Sequence, residues 1–305
     1  VTGFRAQRLL RISRVVADLD RAEAFYRDAL GFRGVGRTSL DPGVLAALGM
    51  SYFTAEQAVM RLGSEEIALV RFSRAGRPYP ADSQSRDLWF QHLAIVVRDM
   101  DAAYAQLSAH GGWQPISWGG PQLLPRANGS ERAFKFRDPD GHPLELIWFP
   151  PGQGRVVWHD NSADGPFLGI DHSALAVSLT SRSLAFYRRL GLIPADRSWN
   201  HGAPQSALDG LLDARVRVIG LRPASPDGPG LELLRYVPPG RPMVGPKPND
   251  LITDWVAVAV EALARPSPGA LRDPDGHILL LEGQGLEGAA TGLPPTGLPA
   301  WGPAT

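Results

Sequence analysis

Four residues of this 305-residue chain stand out by type and spacing: His92, Glu145, His172 and Glu232. Imidazole nitrogens and carboxylate oxygens are donors for divalent ions such as Zn, Ni, Co, Mn and Fe(II). The chain has no cysteine, so a metal site must use His, carboxylate and water. Disulfides and Cys nucleophiles are excluded. Taken singly, a strand histidine is more often a satisfied structural group than a ligand. Glu145 lies between Leu144 and Leu146, and Glu232 between Leu231 and Leu233. A carboxylate buried in such a strand needs a partner in any case, and an arginine such as Arg217 or Arg235 would serve.

An internal repeat lifts the four residues above those readings. Ala24-Phe25-Tyr26-Arg27 returns as Ala185-Phe186-Tyr187-Arg188, each time after a short apolar strand and a polar hinge. Asp18 in one hinge and Thr180-Ser181 in the other are residues that cap helices, and Gly31 and Gly191 suit the left-handed exit. Ala22, Phe25, Tyr26 and Leu30 fall on one helical face. A second pair of motifs, Arg-Asp-Pro-Asp-Gly-His at 137–142 and again at 272–277, is turn chemistry between two strands. His142 and His277, just after those turns, are expected to be exposed hairpin residues.

Four first-strand positions align, Arg11, His92, His172 and Trp255, at offsets of 81, 80 and 83 residues. The matching last-strand positions are Ala68, Glu145, Glu232 and Leu280. Only the two middle copies carry a His and a Glu. Each full copy reads as a strand, a helix and about three strands. The fourth is short, with 13 steps from Val260 to Asp273 against 41 from Val97 to Asp138. The copies span 8–88, 89–150, 168–240 and a truncated 249–283, with a Gly/Pro-rich linker over 150–167 and a Gly/Pro-rich tail over 284–305.

These modules, with a first-strand His, a last-strand Glu, an Ala-Phe-Tyr-Arg helix and an Asp-Pro-Asp-Gly turn, resemble the vicinal oxygen chelate superfamily. It includes glyoxalase I, methylmalonyl-CoA epimerase, fosfomycin-resistance proteins and extradiol dioxygenases. The resemblance covers residues 8 to about 283. It implies an α+β fold in which four βαβββ modules pair into two cupped mixed sheets, glyoxalase-like, the fourth module truncated. It also implies that His92, Glu145, His172 and Glu232 hold one divalent metal ion with one or two positions left open for substrate oxygens. That requires modules two and three to face each other, leaving a metal-free cup from modules one and four, in which Arg11 forms a salt bridge or an anion site, the structural role being the expected one. Small residues beside the histidines, Ala94, Ala174 and Ala176, leave room for a substrate.

The resemblance to glyoxalases and epimerases implies an isomerase or lyase working by proton transfer next to a metal-chelated carbonyl, with Glu145 or Glu232 moving the proton. An Fe(II) extradiol ring-cleaving dioxygenase and a small-molecule binding or resistance protein are the alternatives. By the same resemblance, Asn200, His201 and Gln205 form a polar loop that touches substrate. The expected partner is a small molecule with adjacent oxygens, bound by a monomer or homodimer. Formal charge is zero, with 31 basic and 31 acidic residues, which leaves no electrostatic footprint for nucleic acid. No stretch approaches the ~18 apolar residues of a membrane span. Lacking an apolar signal core near Arg5 and Arg8, the chain is expected in the cytoplasm.

Overall fold

The computed structural model describes residues 4–125, 130–159, 165–225, 228–262 and 269–283. The tail expected over 284–305 lies outside the described residues. The first module runs β1 (Phe4–Val15), α1 (Leu19–Asp28), β2 (Arg33–Ser39), α2 (Pro42–Ala47), β3 (Ala55–Leu62) and β4 (Glu65–Phe72). The second runs β5 (Gln91–Val97), α3 (Met100–Ala109), β6 (Gln114–Pro115), β7 (Gln122–Leu124), β8 (Glu131–Arg137) and β9 (Pro143–Trp148). The third comprises β10 (Phe167–Ala176), α4 (Thr180–Arg189), β11 (Ile193–His201), α5 (Ala203–Asp209), β12 (Arg215–Arg222) and β13 (Gly230–Tyr236). The fourth is reduced, among the described residues, to β14 (Trp255–Ala262), β15 (Gly269–Arg272) and β16 (Ile278–Gly283).

Two mixed sheets result. One has the order β15-β16-β14-β1-β4-β3-β2, the other β11-β12-β13-β10-β5-β9-β8-β6, with β7 pairing β8. Modules one and four therefore share a sheet through β1 and β14, and modules two and three through β5 and β10, both pairs antiparallel. Alternation along the strands decides the faces. Leu93, Ile95 and Val97 enter one core with Ile12, Ile67, Leu175 and Leu231 and the buried faces of the helices. His92, Ala94 and Val96 are left for the opposite, concave face. Among the described residues no helix is long and apolar enough to cross a membrane.

The two sequence motifs recognise each other across modules. The Tyr26 hydroxyl on α1 donates to Asp138 Oδ2 at 3.1 Å, and the Tyr187 hydroxyl on α4 donates to Asp273 Oδ2 at 3.1 Å. The second aspartate of each turn accepts the backbone N–H ahead of the same helix, Ala17 N–H to Asp140 and Ser178 N–H to Asp275, each at 3.0 Å. Module one is thus docked on module two, and three on four, whereas the sheets pair one with four and two with three. The expected exposure of His142 and His277 is corrected by this docking, which buries both turns. His142 Nδ1–H donates to Asp138 at 2.9 Å and His277 Nε2–H to the Ala176 carbonyl at 2.9 Å. The caps differ too. Asp18 accepts from Arg21 N–H as expected, but Thr180 and Ser181 lie inside α4, whose N-cap Leu179 has no side-chain donor or acceptor. Asp275 supplies the carboxylate there from the facing turn.

The concave face of the sheet of modules one and four is filled. Trp255, Ala68, Val70 and Leu280 pack against Val44, Leu45 and Leu48 of the α2 segment. Arg11 ion-pairs with Glu282 at 2.8 Å.

Candidate metal centre

Strand register places the four residues. First and last strands of each module run parallel, with Ala94 opposite Glu145 and Ala174 opposite Glu232. The outer modules keep the register, Ser13 opposite Ala68 and Ala257 opposite Leu280. Each of these partners lies two residues beyond the aligned first-strand position, so each His shares a face with its module's Glu. Across the β5–β10 junction Ala174 lies opposite His92 and Ala94 opposite His172. The histidines are diagonal neighbours, and each faces an alanine.

Their reactive atoms converge. His92 Nε2 is 2.8 Å from Glu145 Oε2 and 3.3 Å from His172 Nε2. His172 Nε2 is 3.4 Å from Glu232 Oε2. One donor atom each of His92, Glu145 and His172 lies within 4.8 Å of the other two. Zinc–nitrogen bonds of about 2.0–2.1 Å at a tetrahedral ion put two nitrogens roughly 3.3–3.4 Å apart, so the facing Nε2 pair has the spacing of two ligands on one ion. His172 Nδ1–H donates to Asp171 Oδ2 at 2.7 Å, which leaves the Nε2 lone pair toward the cleft. The donor set fits a divalent metal. Neither glutamate uses the expected arginines: Arg217 lies over the Trp199 ring, and Arg235 donates to the Ser178 carbonyl.

The two halves differ electrostatically. Burial lowers His92 to about 4, more than Glu145 restores. Burial would also raise Glu145, but Lys135 and His92 hold it ionised, at about 2. At His172 burial is outweighed by Glu232 and Asp171, and the ring is raised to about 9. Burial raises Glu232. A metal ligand must be a neutral imidazole, so an incoming ion displaces the His172 proton. Divalent-metal affinity is therefore expected to climb about tenfold per pH unit through the neutral range and to level off near pH 9. Titration calorimetry in buffers of different ionisation heat reads the released proton; an affinity flat over that range would remove His172 from the ligand set.

The centre opens into a cleft of about 510 Å³ that Asn200 and Gln205 also line. His201 is exposed and borders a neighbouring hollow with Trp199 and Pro204 instead. Asn200 and His201 end strand β11 rather than forming a loop, and Gln205 begins no free contact: its Nε2–H donates to Asp209 Oδ2 at 2.8 Å. The expected linker supplies a wall, with Arg155 and Trp158 lining the cleft and Arg155 paired to Glu65 at 2.8 Å. Sequence reasoning missed Lys135, which is 3% exposed and lies directly opposite Glu145 on β8. The Asp-Pro-Asp-Gly turn carried that signal, because counting back from it pairs 135 with 145.

Comparison with known proteins agrees with the fold. Residues 8–146 match the model of the Glyoxalase/Bleomycin resistance protein/Dioxygenase superfamily. Glyoxalase I from Zea mays is similar in fold over 90% of this chain and 92% of its own, with a TM-score of 0.56 at 18% identity. A mutant of that maize enzyme gives a TM-score of 0.59 over 92% of this chain and 93% of its own, also at 18% identity. A putative dioxygenase from Bacillus subtilis subsp. subtilis str. 168 gives 0.54 over 92% of this chain and 86% of its own, at 14% identity. No curated protein sequence matches the chain.

Proposed function

We propose that the protein is a divalent-metal-dependent isomerase or lyase of the glyoxalase and epimerase kind, acting by proton transfer beside a chelated carbonyl. The observation that carries this reading is the convergence of His92, Glu145 and His172, with Glu232 3.4 Å from His172. His92, Glu145 and His172 would hold the ion, with Glu232 completing the set. When bound, the ion supplies Lewis acidity to the substrate's oxygens. The glutamates divide the remaining work. Glu145, with Lys135 opposite it and His92 at 2.8 Å, stays a fixed carboxylate. Glu232 is more open, its side chain 25% exposed, and is raised by burial without a neighbouring lysine or arginine among its leading influences. It is the group suited to take a proton from carbon and return it, since a base works best when its pKa approaches the working pH. The alanines opposite the histidines leave room for substrate.

The test is solvent-deuterium exchange, by the metal-reconstituted protein, into a panel of α-hydroxy carbonyl compounds that includes both neutral ketones and carboxylates. Exchange is expected in the parent and should drop by roughly 100-fold or more in Glu232→Gln, the scale of a lost general base, while metal stays bound. Absence of exchange from the metal-loaded parent would overturn the reading. A second reading, an Fe(II) ring-cleaving dioxygenase, is favoured by the tight two-His, one-carboxylate cluster of His92, His172 and Glu145. Oxygen uptake with a catechol, in place of exchange, would select it.

A further inference from the structure

Lys135 has work left after its ion pair is counted. Its ammonium carries three N–H donors, and the hydrogen bond it makes is to Asp209 Oδ1 at 2.7 Å. Asp209 is itself occupied by Gln205, and α5 is additionally fastened to module two by Ser117 Oγ–H donating to the Leu208 carbonyl at 2.8 Å. Taking an ammonium out of water costs several kcal/mol even when it is paired, and an apolar pair of similar volume holds two elements together as well or better. Fastening α5 therefore does not account for a charge at this position. The charge lies against the cleft wall, opposite Glu145 in the β8–β9 pairing. Side chains so paired have Cβ atoms only about 4.5–5.5 Å apart, so Lys135 and the candidate ligand Glu145 rise from neighbouring positions on the wall of one cleft. Arg197 and Arg222 line the same cleft from β11 and β12.

We infer that Lys135 is a substrate-binding residue that selects molecules carrying a carboxylate next to the chelating carbonyl or hydroxyl, the 2-oxo and 2-hydroxy acids. This rests on the metal-dependent reading above. One carboxylate oxygen and the adjacent oxygen face the metal ligands, and the second carboxylate oxygen accepts from Lys135. The neutral α-hydroxy ketones lack that acceptor and bind more weakly.

The chain has only two lysines, Lys135 and Lys247, which makes the contact directly visible. Protein labelled with 13C at lysine Cε and loaded with Zn(II) is titrated with oxalate, which chelates and keeps spare carboxylate oxygens. The comparison probe is acetohydroxamate, which chelates without a spare oxyanion. Oxalate is expected to shift the Lys135 signal and leave Lys247 in place, and acetohydroxamate to move neither. In the Co(II) protein, followed by its visible absorption, Lys135→Met/Asp209→Asn should lose about tenfold or more in oxalate affinity, the worth of one hydrogen bond to a charged group. Acetohydroxamate affinity should fall by a much smaller factor. Oxalate binding with a silent Lys135 signal, or equal losses for both chelators, would overturn the inference and leave the metal reading standing. Failure of the parent protein to take up either metal would overturn both.

Discussion

Replacing His172 with Ala is expected to weaken divalent-metal binding by more than about 100-fold, because even an outer partner of a ligand is worth roughly 10–100-fold. His172 is the third-module half of the Nε2 pair at 3.3 Å, and its other nitrogen is committed to Asp171. Without it the second module's His92 and Glu145 are left with Glu232 alone from the third, and the set loses one of its two imidazoles. Glu145→Gln should have a similar effect, since it removes a charged donor 2.8 Å from His92. Arg11→Ala, at the equivalent position of the sister sheet and engaged with Glu282, should leave metal binding as it is. Competition against a chromophoric chelator measures all three. Tight binding retained in His172→Ala would mean that modules two and three do not share an ion.

Asp138→Ala is expected to cost about 3–5 kcal/mol of stability, the range for removing one partner of a buried charged group. Asp138 accepts from the Tyr26 hydroxyl, from His142 Nδ1–H and from the backbone N–H groups of Asp140 and His142. All of these are buried between modules one and two, close to Arg14, which is fully enclosed and ion-paired with Asp254 at 3.1 Å. Burial would raise the Asp138 carboxyl, but His142 and Arg14 hold it at about 2. The folded value lies below the unfolded one of 3.8, so this stabilisation is complete above pH 4 or so and fades as pH falls toward about 2. Calorimetry should show the midpoint lower by roughly 6–20 °C at neutral pH, with the gap to the parent closing in acid. A shift of only a degree or two would show that the Tyr–Asp contact is not what joins the modules.

The sequence by itself determined more of the centre than of its surroundings. Strand period, offsets of 80 to 83 residues and the recurring turns align His92 with His172 and Glu145 with Glu232. Those are local regularities, set by the twofold alternation of a strand and the chemistry of a turn, and they survive in one dimension. They also exposed the all-or-nothing division of His/Glu pairs between middle and outer modules, and the sheet orders join the same modules. Tertiary structure alone decided what each motif meets. Tyr26 gives no sign in the chain that Asp138 is its partner, 112 residues away, and the burial of His142 and His277 follows from that docking. The same holds for α2, a short polar-capped segment whose valine and leucines fill the cup beneath Trp255. Lys135 lay in between: its place opposite Glu145 could be counted from the turn, but its ion pair with Asp209 could not. Spacing reports which residues share a face; only packing across distant segments decides which of those faces close and which stay open to a ligand.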